Sequence, residues 1–131
     1  GPILFDFGGL GIRSMEYIQR FGKYLIVAGS HKGGNDFAIY SWSGDREDDP
    51  ELMKGAEAFA AYKDFTPEAL VSFVQDNRVL IISDDGSIKV PAAGPYECID
   101  PDDFKKGQCK NKHLKDPRKR TFRAIWVNLK E

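Results

Sequence analysis

Tyr24-Leu25-Ile26-Val27-Ala28 and Val79-Leu80-Ile81-Ile82-Ser83 decide the fold. Each is a short apolar run, largely β-branched, and too brief for a buried helix. Turn formers bound both: Phe21-Gly22 precedes the first, while Asp76-Asn77 and Asp84-Asp85-Gly86 bracket the second. Such runs read as strands buried on both faces. Working outward, Ile3 to Phe7 reads as a strand ending at Gly8-Gly9, and Ile12 to Ile18 as the next. Gly33-Gly34-Asn35 predicts a turn. Phe37, Ile39 and Ser41 alternate with Ala38, Tyr40 and Trp42, giving a strand stopped by Ser43-Gly44-Asp45. In the second half Leu70 to Val74, Val79 to Ser83 and Phe122 to Leu129 repeat the scheme.

Placing Tyr24-Leu25-Ile26-Val27 on Val79-Leu80-Ile81-Ile82 also places Met15 on Leu70 and Ile18 on Phe73, with Phe37 and Phe122 in equivalent last strands. Three or four antiparallel strands per unit, joined by short turns, are the signature of β-propeller blades. The expected fold is therefore all-β: antiparallel meander sheets resembling two blades, over 12–44 and 66–129, the second interrupted by an insertion at 91–120. Residues 3–131 read as a single domain or a propeller fragment, since two blades cannot close a ring. Gly1-Pro2 reads as the scar of a tag-removing protease and lies outside this reasoning. One stretch departs from the pattern. Asp49-Pro50-Glu51 opens like a capped helix, so a short helix is expected around residues 51–62, with an edge strand as the alternative.

Several of these residues, in this order, carry a family resemblance: Gly8-Gly9-Leu10-Gly11-Ile12-Arg13-Ser14-Met15-Glu16, Tyr24 to Gly29, Phe37 to Gly44, Pro67-Glu68-Ala69-Leu70 and Ser83-Asp84-Asp85-Gly86. The chain resembles the C-terminal portion of a bacterial domain-of-unknown-function family grouped with the β-propellers. The similarity covers most of residues 3–90 and the last strand, and leaves out the insertion. It implies blade-like sheets and carries no activity over.

Composition bounds the function classes. With 131 residues, 41% hydrophobic and 30% charged, the chain can bury a core and is not a disordered one. Its apolar runs are far shorter than the roughly 20 residues of a spanning helix, and no signal-peptide pattern opens it. The net charge of −1 conceals an asymmetry. Residues 105–120 carry eight basic residues (Lys105, Lys106, Lys110, Lys112, Lys115, Arg118, Lys119, Arg120) against Asp116, a net +7; the remainder is −8. Such a segment can contact phosphates, but it lacks the interleaved aromatics that stack on bases. It is expected to be a flexible, solvated surface loop, not a nucleic-acid site.

Arg13, Glu16 and Glu68 fall at or before predicted inner strands, which line the channel of a propeller, and Asp84 and Asp85 follow a buried strand. Acids converging there would suit a divalent cation such as calcium; an Arg13–glutamate ion pair and an ordinary Asp-Asp-Gly turn are the plainer reading. His31 and His113 lie in loops without a nucleophile-elbow sequence. Gly8-Gly9-Leu10-Gly11 leads into a strand pattern, whereas a phosphate loop needs a helix next. Trp42 and Trp126, late in equivalent strands, read as packing residues. Cys98 and Cys109 flank a turn-rich stretch, either as a disulfide or as two free thiols. A disulfide would point to a periplasmic or secreted protein.

These residues predict a non-enzymatic binding or scaffold module that is part of a larger protein and meets a protein partner, or itself, through open sheet edges, Ile3 to Phe7 foremost. The alternative is a metal-dependent propeller-type hydrolase or lactonase.

Overall fold

The computed structural model describes residues 1–31 and 36–129, and in it both apolar runs are central strands. Strands β1 (Gly11–Ile18), β2 (Lys23–Gly29), β3 (Phe37–Trp42) and β4 (Glu51–Lys54) form an antiparallel sheet in that order. Strands β5 (Pro67–Ser72), β6 (Arg78–Ser83) and β9 (Ala124–Asn128) form a second one, in the order β5-β6-β9. The expected turn at Gly33-Gly34-Asn35 lies outside the described residues. The chain divides into two compact units, one of residues 1–83 and 124–131 and one of residues 84–123.

In the first unit the two sheets pack face to face. Leu25, Val27, Phe37 and Ile39 from one meet Leu70, Val79, Ile81, Ile125 and Val127 from the other in a single core, which Phe59 and Phe65 extend. Val27, Ile39, Val79 and Ile81 have no solvent-accessible surface. On the opposite face of β2, Ile26 and Ala28 are equally sealed, here by Phe7 and Trp42. The two-sided burial expected of Tyr24 to Ala28 thus holds. In β6 burial alternates instead: Val79, Ile81 and Ser83 are buried, and Leu80 and Ile82 are only partly buried on the outer face. Both hairpins carry a bulge at the same point. Ile12 pairs with Ala28 and Ser14 with Val27, leaving Arg13 as the extra residue. Pro67 pairs with Ser83 and Ala69 with Ile82, leaving Glu68.

Three expectations are corrected. Residues 51–62 contain no α-helix: Glu51 and Leu52 pair with Ser41 and Tyr40 as β4, and helical geometry is limited to one 3-10 turn at Ala56–Ala58. Pairing with β3 outweighs helix propensity here, because Gly55 interrupts the segment and the helix would have been too short to persist. Ile3 to Phe7 pairs with no strand among the described residues. It contributes side chains: Phe5 lies 5.0 Å from Trp42 and Phe7 4.9 Å from Tyr40, both edge-on. The strand expected over Leu70 to Val74 runs from Pro67 to Ser72 instead, and Phe73 and Val74 stand exposed beyond it. Pro67, lacking an N–H, is tolerated as the first residue of an edge strand.

The insertion is folded, which corrects the expectation of a flexible loop. Strands β7 (Lys89–Pro91) and β8 (Gln108–Lys110) pair, and 3-10 turns occupy Pro95–Glu97, Pro101–Asp103, Asn111–His113 and Pro117–Lys119. Two of these turns begin with Asp-Pro: Asp100 and Asp116 cap them by accepting from the backbone N–H of Asp102 and Arg118. Cys98 and Cys109 form a disulfide whose Cα atoms lie 6.5 Å apart. With Leu114 they make a small core of fully or nearly fully buried residues. The loop closed by the disulfide contributes about 3 kcal/mol through the unfolded state.

Two outcomes follow from this architecture. Ile81→Ala is expected to cost about 3 kcal/mol in denaturant unfolding, and Ile82→Ala, on the partly buried face, about 1 kcal/mol. Alkylation without reductant is expected to leave the intact mass unchanged. After reduction two thiols become available, and trypsin gains access to Lys105 and Lys106, at the tip of the β8 hairpin.

Candidate functional site

The charged residues singled out above fall into two groups, one in each compact unit. In the first unit the bulges turn Arg13 and Glu68 towards each other. Arg13 donates from one guanidinium nitrogen to both Glu68 oxygens, at 3.1 and 3.2 Å, and from the other to the Ser30 carbonyl at 2.6 Å. Three residues further along β1, Glu16 accepts the backbone N–H of Ser72 at 2.9 Å. Arg20 then reaches the Gln75 carbonyl at 3.4 Å. The first two side chains stitch β1 to β5, and Arg20 joins the turns that follow these strands. The Arg13–Glu68 pair is partly solvated, so its value lies more in fixing the alignment of β1 and β5 than in stability.

In the second unit Asp85 is 3% exposed and is bound on both oxygens by Arg123, at 2.8 and 3.0 Å, and by the Arg123 backbone N–H at 2.9 Å. Asn111, also buried, donates to the carbonyls of Asp85 and Thr121 at 3.3 and 2.8 Å and accepts from the Thr121 N–H at 3.3 Å. Asp85 and Arg123 stand two residues or fewer from the ends of the inserted segment, so the bidentate pair closes its neck. Asp84 accepts the Gly86 N–H at 3.1 Å, as an Asp-Asp-Gly turn requires.

A third constellation escaped sequence reasoning. Asp103, with a side chain only 10% exposed, accepts the Lys110 N–H at 2.6 Å and the Lys89 ammonium at 2.9 Å, and lies 3.1 Å from His113 Nδ1. The Lys110 N–H first, then Lys89, hold its carboxyl far below the usual carboxylate range, with His113 adding to them. No hydroxyl or thiol is bonded to His113 among the described residues, so this is an aspartate–histidine pair without a nucleophile. The only local signal was Asp103 in an Asp-Pro turn; its partners lie 7 to 14 residues away. His31 is exposed.

The basic segment is partly neutralised from within. Lys119 pairs with Glu97 at 2.9 Å and Arg118 with Asp116 at 3.0 Å, while Arg120 donates twice to the Leu114 carbonyl. Lys106 and Gly107, both at positive φ, make the tight turn after Lys105. Lys112 and Lys115 are exposed. Of the tryptophans, Trp42 is buried and donates to the Asp45 and Asp48 carbonyls, as a packing residue does. Trp126 is 48% exposed.

Chemically, these groups clamp and align. Each acid expected to bind a cation already accepts a donor, and no cluster of three or more histidine, cysteine, aspartate or glutamate side chains suited to a metal occurs among the described residues. A cavity of about 400 Å³ opens at the end of the first unit between Ile18, Phe21, Tyr24, Leu25, Met53 and Leu129, with Lys23 and Glu51 also lining it. No helix among the described residues is long and apolar enough to cross a membrane. No protein-family model, no curated protein and no solved structure matches the chain.

The Asp103 hub sets a pH expectation. A carboxyl whose folded pKa is depressed stabilises the fold fully above the ordinary aspartate value of about 4, and that contribution is lost as pH falls through the folded value. Amide NMR signals of residues 84–123 are therefore expected to persist at pH 4 and to broaden only in stronger acid. Asp103→Asn should weaken the unit already at neutral pH and shrink the acid step, which Glu97 and Asp116, also held below the usual carboxylate range, keep in part.

Proposed function

We propose that the chain is a β-propeller-like binding or scaffold module without catalytic activity, built from two copies of one sheet repeat and part of a larger assembly. The bulge correspondence carries this reading. Arg13 and Glu68 are the extra residues of their hairpins, 55 positions apart. The same 55-residue step relates Val27 to Ile82, the partners of Ser14 and Ala69. Tyr40 opposite Ile26 and Ile125 opposite Ile81 extend the match to the third strand. Bulges are built features of a strand pair, so two in one register are better explained by repetition than by chance. Adjacent β1 and β5, joined through equivalent bulge residues, are what neighbouring blades would present. The resemblance to the C-terminal portion of a propeller-related bacterial family fits the same reading, and the disulfide favours a periplasmic or secreted location.

The alternative, a metal-dependent propeller-type hydrolase or lactonase, would require Glu16, Glu68, Asp84 or Asp85 to leave the donors they now accept. Ester and lactone substrates offered with calcium, magnesium or zinc are expected to show no turnover above a Glu68→Gln, Asp84→Asn double variant. Metal-dependent turnover that this variant loses would replace the module reading with the enzyme.

A further inference from the structure

The core of the first unit is plugged at one end and open at the other. At the Phe37 end, Phe59 and Phe65 fill the gap between the sheets, with ring centroids 6.1 Å from Phe37 to Phe59 and 6.0 Å from Phe59 to Phe65. At the opposite end of β2 and β3 lies the cavity of about 400 Å³, walled by Ile18, Phe21, Leu25, Met53 and Leu129. Ile18, Leu25 and Leu129 are buried members of the core, so the floor of the cavity is the core itself. Close-packed interiors rarely hold such a void, and its volume falls in the range of small-molecule sites.

The mouth of the cavity is polar. Leu25, Ser41 and Glu51 are paired in turn across β2, β3 and β4, and so form one row on the inner face: apolar, then hydroxyl, then carboxylate. Two strand spacings, roughly 10 Å, separate its ends. A cleft shares Lys23, Ser41 and Glu51 with the cavity and adds Ser43, Asp48 and Asp49. Three carboxylates against one ammonium leave this mouth net negative. Asp48 accepts the Ser43 hydroxyl at 2.7 Å. The side chains of Lys23, Asp49 and Glu51 make no hydrogen bond or ion pair among the described residues. Glu16 and Glu68, by contrast, are taken up by Ser72 and Arg13.

We propose that this cavity binds a small amphiphilic amine, its apolar chain between Ile18, Leu25 and Leu129 and its ammonium against Glu51 and Asp49. The apolar wall accepts an alkyl or aryl body whatever its charge, and the mouth selects the head group. An ammonium meets two carboxylates that have no other partner, whereas a carboxylate or phosphate enters a field already negative. The single Lys23 does not reverse that balance. Met53, unbranched and only partly buried, lets the wall adapt to the chain it receives. Neither the repeat nor a larger assembly enters into this site, so it stands or falls separately from the module reading.

The test is a titration with n-hexylamine, whose chain suits the length of the row, followed by methyl NMR near neutral pH, where the amine is charged. Saturable shifts are expected at Ile18, Leu25, Met53 and Leu129, with a dissociation constant of about 1 mM. Hexanoate, the same chain with the opposite charge, should bind about tenfold more weakly, and hexan-1-ol between the two. Glu51→Gln, an exposed substitution that leaves the core untouched, should weaken the amine about threefold, as loss of a surface ion pair does, and leave hexan-1-ol unchanged. The proposal is overturned if these methyls do not shift up to about 10 mM amine, well above the expected constant. It is also overturned if hexanoate or hexan-1-ol binds as tightly as the amine, or if an Asp49→Asn, Glu51→Gln double variant binds the amine like the unmodified protein.

Discussion

Strand β2 has to be apolar on both sides, and the rest of the first unit follows from that requirement. Val27 and Ile26 are neighbours in sequence and point to opposite faces of the pleat, and neither has any accessible surface. Two layers must therefore cover one strand. The β5-β6-β9 sheet supplies the first through Val79 and Ile81, and the aromatic side chains of residues 5–7 supply the second. Burying an aliphatic side chain is worth roughly 1.5–3 kcal/mol. The handful sealed at this interface is thus comparable to the whole stability of a domain before entropy is counted. Moving β2 by one residue would exchange its two faces, placing Ile26 where Val27 now lies. The register of both hairpins, bulges included, is held by this exchange being so costly.

Charged residues are secondary to that packing and serve alignment. Arg13, Glu16 and Arg20 reach across to Glu68, Ser72 and Gln75, so the polar contacts hold the β1-β2 and β5-β6 hairpins alongside each other at one alignment. Asp85 and Arg123 do a related task in the second unit, closing the neck of a 40-residue excursion between two paired strands. A buried carboxylate held on both oxygens by a guanidinium and a backbone N–H has its lone pairs satisfied. Residues that look like a cation site in a list of acids become fasteners once their donors are known.

The segment of residues 84–123 illustrates how a short sequence compensates for a small core. Three buried hydrophobic residues, two of them cysteines, cannot supply the apolar burial of a full domain. A disulfide, a two-stranded ribbon, two Asp-Pro turns and the Asp103 hub supply the remainder. Its basic character is an outcome of the same economy. Lysines and arginines occupy exposed turn positions, and several return to carbonyls or carboxylates of the unit itself.

The sequence by itself determined the all-β class and the central strands over Tyr24 to Ala28 and Val79 to Ser83, because these rest on local periodicity and turn residues; whether Cys98 and Cys109 are bonded was decided by the fold. Local patterns also located Arg13 and Glu68 and offered an ion pair as their plain role. Tertiary structure decided what local rules leave open. Glu51–Lys54 became a strand because β3 offered it backbone partners, and Ile3 to Phe7 gave side chains instead of hydrogen bonds because the back of β2 needed covering. Asp103 carried no local signal beyond its place in an Asp-Pro turn and Arg123 none, since their partners lie up to 14 and 38 residues away. Which face of β6 is buried was undetermined as well: Val79-Leu80-Ile81-Ile82 is apolar on both sides, and only the arrival of the other sheet on one of them made the two faces different.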